Sequence, residues 1–397
     1  MPFPRQLVRA LVVSITAIAC VGWATTGGAS ANDPPKLAWS PTTSAGTFDF
    51  GSKTIGQTAS QTFRLTNSGG SSTAALTVSL SGSTAMSITS NTCSATALGK
   101  QKSCAVTVRY APTASGSNTA TLAATATKPA ASASLTLTGT GAPVRHVYWA
   151  NSFANSIGRA NVDGSNVEQT FITDAGHPID VAVDGTYVYW TNSSAIGRAR
   201  LDGTSANPAF ITGLSDIKAL TVDGSHIYWA TDFPKTIGRA NLDGSGADPA
   251  FMTTTGAPFG VAVHGTYIYW TSLNGTNTAG DDTIGRANLD GSGVNESFIT
   301  GASGPWELAV DDNHVYWLNQ LTGTIGQAGL DGSNVNQSFI SGLSQGGGVG
   351  LASDANYLYW GDSPGIGRAN LDGSGVNYAL VSSDFNNSVL GIAVDGS

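Results

Sequence analysis

A unit of about forty residues recurs six times between residues 144 and 397, and a repeat of that length buries its apolar face only against further copies of itself. Trp stands at 149, 190, 229, 270, 317 and 360, each preceded by Tyr and, before that, by Val, Ile or Leu. Ile-Gly follows at 157, 196, 237, 284, 325 and 366, and Asp-Gly at 163, 202, 243, 290, 331 and 372, always six residues after that Ile. Eight residues beyond each such Asp comes Phe, or Leu380 in the last copy. An Ala-Val-Asp-like run completes each unit at Asp184, Asp223, His264, Asp311, Asp354 and Asp395. These short apolar runs predict four strands per unit, ordered from inner to outer as the AVD, YW, IGRANL and FIT runs. Six four-stranded units predict a six-bladed β-propeller. The first unit begins at its YW strand, and LGIAVDGS (390–397) is a lone AVD strand. That strand is expected to fill the inner place of the first blade and so remove the free sheet edges.

The lengths of the connections divide the unit into a constant half and a variable half. From the AVD-position residue to the next Trp the separation is six in all five cases, and the Ile to Asp and Asp to Phe separations stay at six and eight. From Trp to Ile-Gly it runs 8, 6, 8, 14, 8, 6, and from Phe or Leu to the AVD position 13, 13, 13, 13, 15, 15. In an up-and-down blade the two varying connections emerge on one face and the Asp-Gly turns on the other. The stretch IGRANLDGSG, repeated at 237–246, 284–293 and 366–375, therefore reads as scaffold. Its Asp-Gly suits a tight hairpin, since Gly accepts positive φ without a Cβ penalty, and its Ile-Gly glycine is expected to let neighbouring blades approach. Recognition is expected on the variable face, because loops on a rigid frame carry function.

On these residues the segment 144–397 resembles the YWTD propellers of the low-density-lipoprotein receptor class. The four-letter motif reads YWAN, YWTN, YWAT, YWTS, YWLN and YWGD, so its final Asp is present only at Asp362. Asn151, Asn192 and Asn319 can accept similar bonds with a neutral side chain. Arg159, Arg198, Arg239, Arg286 and Arg368, with Gln327 in the fifth copy, are expected to pair with a carboxylate or a backbone carbonyl of their own or a neighbouring blade, for which a planar guanidinium is suited. A cationic ring for an acidic ligand is the alternative. The Asp-Gly-Ser-Gly-x-Asn turns lack the alternating carboxylates of a calcium loop, and no metal or cofactor is expected.

Ahead of the repeats, residues 36–141 alternate apolar and Thr/Ser residues in runs such as SQTFRLTNSGG, CAVTVRYAP and ASLTLTGTG, a spacing that predicts an antiparallel two-sheet sandwich. FDFGSKTIGQTASQTFRLTNSGG (48–70), the Cys93 and Cys104 pair, VTVRYAPTASG (106–116) and LTLTGTG (135–141) resemble the choice-of-anchor D domains, related to the Hydin/ASPM group of immunoglobulin-like modules. The resemblance implies a non-catalytic module that spaces or attaches its neighbour. Residues 1–31 read as an export signal, with Arg5 and Arg9, the apolar LVVSITAIAC (11–20) and Ala29-Ser30-Ala31. A rival site, Ala17-Ile18-Ala19-Cys20, resembles a lipoprotein signal and would leave Cys20 as a lipid anchor. The apolar stretch is too short to span a bilayer. In an exported chain Cys93 and Cys104 suit a disulfide; two free thiols are the other reading.

With charged residues at only 11 % and a net charge of -8, the chain lacks the basic face that nucleic acid requires. The residues that break the repeat on the variable face are Phe153, His177, Asp180, Asp216, Lys218, Phe233, Phe259, Trp306 and Glu307. They are the candidate ligand-binding set, with Trp306, Phe259 and the insert TSLNGTNTAGDDT (271–283) as its expected centre; the alternative wedges Trp306 between blades. For catalysis only His177 with Asp180 and Glu307 can be assembled. The IGR repeats are also similar to those of streptogramin lyase propellers, which act with histidines, an acid and magnesium, yet only one His lies on this face. The reading is an all-β, secreted or cell-surface, non-catalytic binding or adhesion protein: an immunoglobulin-like sandwich followed by a propeller closed by the C-terminal strand. Its expected partner is extracellular protein or carbohydrate. A metal-assisted lyase or lactonase-type enzyme is the alternative.

Overall fold

The computed structural model describes residues 30, 33–43, 45–275, 278–345, 350–362, 365–382 and 389–396; the export signal and Cys20 lie outside them. The chain divides into two compact units after Pro143. Among the described residues its regular structure is entirely β.

The first unit is built from two four-stranded sheets. Leu37–Ser40, Ala59–Asn67, Ser103–Tyr110 and Met86–Asn91 form one, and Thr47–Thr54, Ala130–Ala142, Gly116–Thr127 and Thr77–Gly82 the other, in hydrogen-bonded order. Alternation drives the packing: Cys104, Val106, Val108 and Tyr110 are buried while the residues between them are not. They meet Phe63 and Leu65 of the same sheet and Leu122 and Leu137 of the other in one core. Thr47–Thr54 pairs with Ala130–Ala142 in parallel, the other pairings being antiparallel. A disulfide joins Cys93 to Cys104.

Among its described residues the second unit holds six four-stranded antiparallel sheets, five of them simple meanders of consecutive strands. The second sheet is typical: Asp180–Val183, Tyr187–Thr191, Ala195–Arg200 and Asn207–Thr212. In the first sheet the inner place next to His146–Asn151 is taken by Leu390–Val394, with Val394 opposite Val147. Side-chain alternation in the YW strand turns its two aromatic residues to opposite sides. Tyr148 of the first sheet and Trp190 of the second share a core cluster, as do Tyr189 with Trp229, Tyr228 with Trp270, Tyr269 with Trp317, Tyr316 with Trp360, and Tyr359 with Trp149. The repeated Tyr-Trp is thus the apolar joint between consecutive sheets, and the list of joints returns to its start. These are the sheets of a β-propeller.

Two glycines in each unit have separate reasons. A Cβ on Gly158, Gly197, Gly238, Gly285, Gly326 or Gly367 would overlap the Trp ring of the adjacent strand in the same sheet, since Gly158 pairs with Trp149 and each later copy likewise. The expectation that this glycine serves the approach of neighbouring sheets is corrected: it makes room for the indole of its own sheet. In the Asp-Gly turn the glycine takes positive φ, 80° to 86° in all six copies. In the first copy its N–H bonds the Asn161 carbonyl while Asn161 N–H bonds Ser165, a three-residue hairpin with a left-handed glycine.

The arginines are structural. The guanidiniums of Arg159, Arg198, Arg239 and Arg286 lie 3.8–4.0 Å from the ring centre of the Phe in their own sheet. Each also donates to a carbonyl of the next sheet: Leu201, Leu242, Leu289 and Leu330, with Arg368 reaching Val162. At the turn between inner and second strands, Asp184 Oδ1 accepts the N–H groups of Thr186 and Tyr187, and Oδ2 accepts the Tyr189 hydroxyl. Asn319 does what Asp362 does: its Oδ1 accepts the N–H of Ser303 as Asp362 accepts that of Ser344. Asn151, Asn192 and Asn319 each donate to a carbonyl of their own outer strand, Gln169, Pro208 and Gln337, and Asn192 Oδ1 accepts the N–H groups of Ser194 and Ala195.

Candidate binding face and axial cavity

Antiparallel pairing fixes where the variable connections emerge. Asp180 lies opposite Thr191 and Ala195 opposite Thr212, so the chain leaves the sheet at one end both after the second strand and after the outermost strand. At that end the inner strands begin. They line a cavity of about 290 Å³ whose walls carry Val181, Leu220, Val261, Leu308, Leu351 and Ile392 with their strand neighbours.

Four of the candidate residues form a continuous row across the third, fourth and fifth sheets. Lys218 Nζ is 2.6 Å from Asp216 Oδ1 and 3.9 Å from Asp232 Oδ2, and it lies 5.5 Å from the centre of the Phe259 ring. That ring packs 4.5 Å from Trp306. Trp306 is half-buried and also packs against the core between the fifth and sixth sheets, the wedged position that was the alternative from sequence. Asp232 belongs to this row and sequence reasoning missed it; the signal was its position beside Phe233, in a connection that breaks the repeat. The insert at 271–283 does not hang free at its base: the buried Asp282 accepts the N–H of Asn274 on one oxygen and that of Gly304 on the other.

Phe153 and Phe233 stand apart from the row, 71 % and 79 % exposed, in the second-to-third-strand connections of the first and third sheets. His177 is exposed at a φ of 58°, its Nδ1 2.9 Å from the Ser152 carbonyl and its N–H bonded to Asn155 Oδ1. Asp180 and Glu307 point the other way, into the cavity, where both are buried. Asp180 accepts the N–H groups of Val181 and Leu220, and Glu307 that of Leu308. Burial pushes Asp180 up to about 7, against the pull of those two donors. Burial, and after it the charge of Asp180, raises Glu307 well above the usual carboxylate range. The structure thus places the two acids on the wall of one cavity and leaves His177 facing Ser152, so the catalytic set considered from sequence is not assembled. Among the described residues no three His, Cys, Asp or Glu side chains group as a metal site, and no helix is long and apolar enough to cross a membrane.

Residues 145–184 match the low-density lipoprotein receptor repeat class B family, and residues 42–142 match Cep192 domain 4, an immunoglobulin-like domain. A chain in the crystal structure of a nidogen/laminin complex is similar at 20 % identity and a TM-score of 0.53, over 63 % of this chain and 98 % of its own. A quinonprotein alcohol dehydrogenase-like protein from Bacteroides thetaiotaomicron aligns at 11 % identity and TM-score 0.38, over 89 % and 84 %. The ASH/PapD-like domain 7 of human CEP192 aligns at 13 % and 0.22, over 35 % and 99 %. No curated protein matches. The repeat match and the first neighbour give the second unit the fold of a YWTD-type β-propeller; the other two likenesses carry no weight at those scores.

Proposed function

We propose that this protein is an exported, non-catalytic binding or adhesion protein that recognises an extracellular protein with the variable face of its propeller. In this reading residues 1–31 are the export signal, with Cys20 a lipid anchor in the rival processing. Residues 36–141 are a choice-of-anchor D spacer, and 144–397 form a six-bladed ring closed by Leu390–Val394. The observation that carries it is the confinement of all length variation to one face, where Phe153 and Phe233 present most of their rings to water. Large aromatic side chains left exposed on a rigid frame are suited to anchor a partner. The row Asp216, Lys218, Asp232, Phe259 and Trp306 supplies polar and aromatic contacts beside them. Support also comes from the fold neighbour, which was crystallised in a nidogen/laminin complex, and from the disulfide, which persists outside the reducing cytosol.

The test uses the full chain as bait on extracellular protein and, separately, on cell-surface carbohydrate, comparing it with Phe153→Ala/Phe233→Ala. Because both rings are exposed, the double variant should keep the parent thermal midpoint while binding to the captured protein weakens at least about tenfold. Retained affinity in the double variant would exclude this face. Capture by carbohydrate alone would replace the partner class.

A further inference from the structure

One position of the repeat reads differently from sheet to sheet at the mouth of the cavity. Four residues before the turn position, Asp in five copies and His264 in the fourth sheet, stand Asp180, Ala219, Gly260, Glu307, Gly350 and Gly391 in the second, third, fourth, fifth, sixth and first sheets. Two acids thus occur among four residues with one side-chain carbon or none. They fall in the second and fifth sheets, which in a ring of six are opposite each other across the axis.

The small residues make the seats. A Cβ on Gly391 would collide with Asp180 Oδ1, and one on Gly260 would come to 2.7 Å from Glu307 Oε1. Asp180 therefore lies over the backbone of the first sheet while its Oδ2 takes the Leu220 N–H of the third at 2.8 Å. Glu307 lies over the fourth sheet and takes the Val261 N–H there as well as that of Leu308. Each carboxylate ties its own inner strand to neighbours, and both line the same cavity.

Among the described residues no cation pairs with them. The inner strands packed against these two are Leu390–Val394, Ile217–Val222, Ala257–His264 and Leu351–Ser353, and beside them lie Tyr187–Thr191, His146–Asn151, His314–Asn319, Tyr267–Leu273 and Asp282–Asn288. The titratable groups of the inner strands and at their ends are Asp216, Lys218, Asp223, His264, Asp354 and Asp395. Lys218 is held by Asp216 and Asp232. Asp223, His264, Asp354 and Asp395 lie at the opposite end of the strands, at the turn position. In the remaining strands the basic groups are His146 and His314, which meet Asp395 and Asp311, and Arg286, which donates to the Leu330 carbonyl. No ion pair among the described residues involves Asp180 or Glu307.

We propose that Asp180 and Glu307 form a proton-linked pair on the axis, which keeps the ring tight in mildly acidic surroundings and loosens it as both carboxylates ionise; this rests on the six-sheet ring proposed above. In the unfolded chain both titrate near 4, whereas in the folded ring burial holds Asp180 up to about 7 and Glu307 above its usual range. Between those limits the folded state carries the extra protons. Stability is then greatest below the unfolded value, falls as pH rises towards 7, and levels off above the folded values.

The full chain is unfolded by heat at pH 5, 6, 7 and 8, following tryptophan fluorescence, since seven of its nine tryptophans lie in the second unit. The wild type should lose on the order of 5 °C of midpoint from pH 5 to pH 8, and Asp180→Asn/Glu307→Gln should lose clearly less, whatever its absolute midpoint. Equal slopes in the two proteins would overturn the pair. Should the double variant not fold, carbon NMR of labelled carboxyl groups in the wild type decides: two groups titrating above pH 6 support the pair, and complete ionisation by pH 5.5 overturns it. The ring is checked on its own by Val147→Cys/Val394→Cys, whose cross-link requires the terminal pairing. A cross-link with flat pH behaviour rejects the pair alone, and an absent cross-link rejects the ring.

Discussion

The six Ile-Gly glycines show how a single hydrogen in place of a methyl group sets the fold. Gly238 leaves the space that the Trp229 indole fills, and a Cβ there would overlap the six-membered ring. Gly238→Ala should therefore destabilise the second unit by about 3 kcal/mol through overpacking, measured as the urea midpoint of tryptophan fluorescence. Gly224, which meets nothing within 4 Å and has ordinary φ, is the control, and Gly224→Ala should stay within about 0.5 kcal/mol. Arg198 offers a second contrast. Its guanidinium sits 3.8 Å from the Phe210 ring centre, 4.3 Å from that of Tyr187, and 3.0 Å from the Leu242 carbonyl. Lysine keeps the charge but not the plane, so Arg198→Lys should lose about 1–2 kcal/mol in the same measurement. Both effects depend on spacing that the sequence displays, yet which neighbour each residue serves is set by the fold. Ile-Gly was legible as constant scaffold; that its constancy answers an indole in its own sheet was not, because register between strands cannot be read from one strand.

Between sheets, the joints are alike except one. Five arginines donate to the next sheet, whereas the fifth copy has Gln327, and there the neutral Tyr316 hydroxyl bonds the Leu371 carbonyl at 3.4 Å in place of a charged donor. The inner strand of the sixth sheet is also short, only Leu351–Ser353. The seam between the fifth and sixth sheets should consequently open most readily. In native-state hydrogen exchange, Ala352 and Leu358 should exchange at least about tenfold faster than their counterparts Ala182 and Val188; equal protection would remove the seam. Strand order and the common exit of the two variable connections could be taken from segment lengths, since a meander leaves few alternatives. The candidate site was less legible. Sequence grouped His177 with Asp180 and Glu307 because all three fall on variable connections. A residue three positions from Asp180 can still face outwards, and His177, held at positive φ against Asn155 and Ser152, does so.

Two opposed sets of carboxylates shape the response of the second unit to acid. Asp163, Asp202, Asp243, Asp290, Asp331 and Asp372 are held below their ordinary range chiefly by a serine or threonine hydroxyl two residues on. Lowered carboxylates contribute stability above about pH 4 that is lost as pH falls through their folded values, the reverse of the axial pair. With both sets acting, the midpoint should be highest near pH 5, and a scan from pH 3 to pH 8 that rises steadily to pH 8 would contradict the balance. The pairing of Leu390–Val394 with His146–Asn151 has a consequence in time as well as in space. A chain emerging amino end first can stack its early repeats as they appear, but the partner of the strand at His146 is made some 240 residues later. Until then the growing chain keeps one apolar flank bare, a state it can tolerate only if it is kept from its neighbours. The inner place of the first sheet therefore waits on Leu390–Val394, and a stop signal upstream of Leu390 would leave the strand at His146 with a bare inner edge.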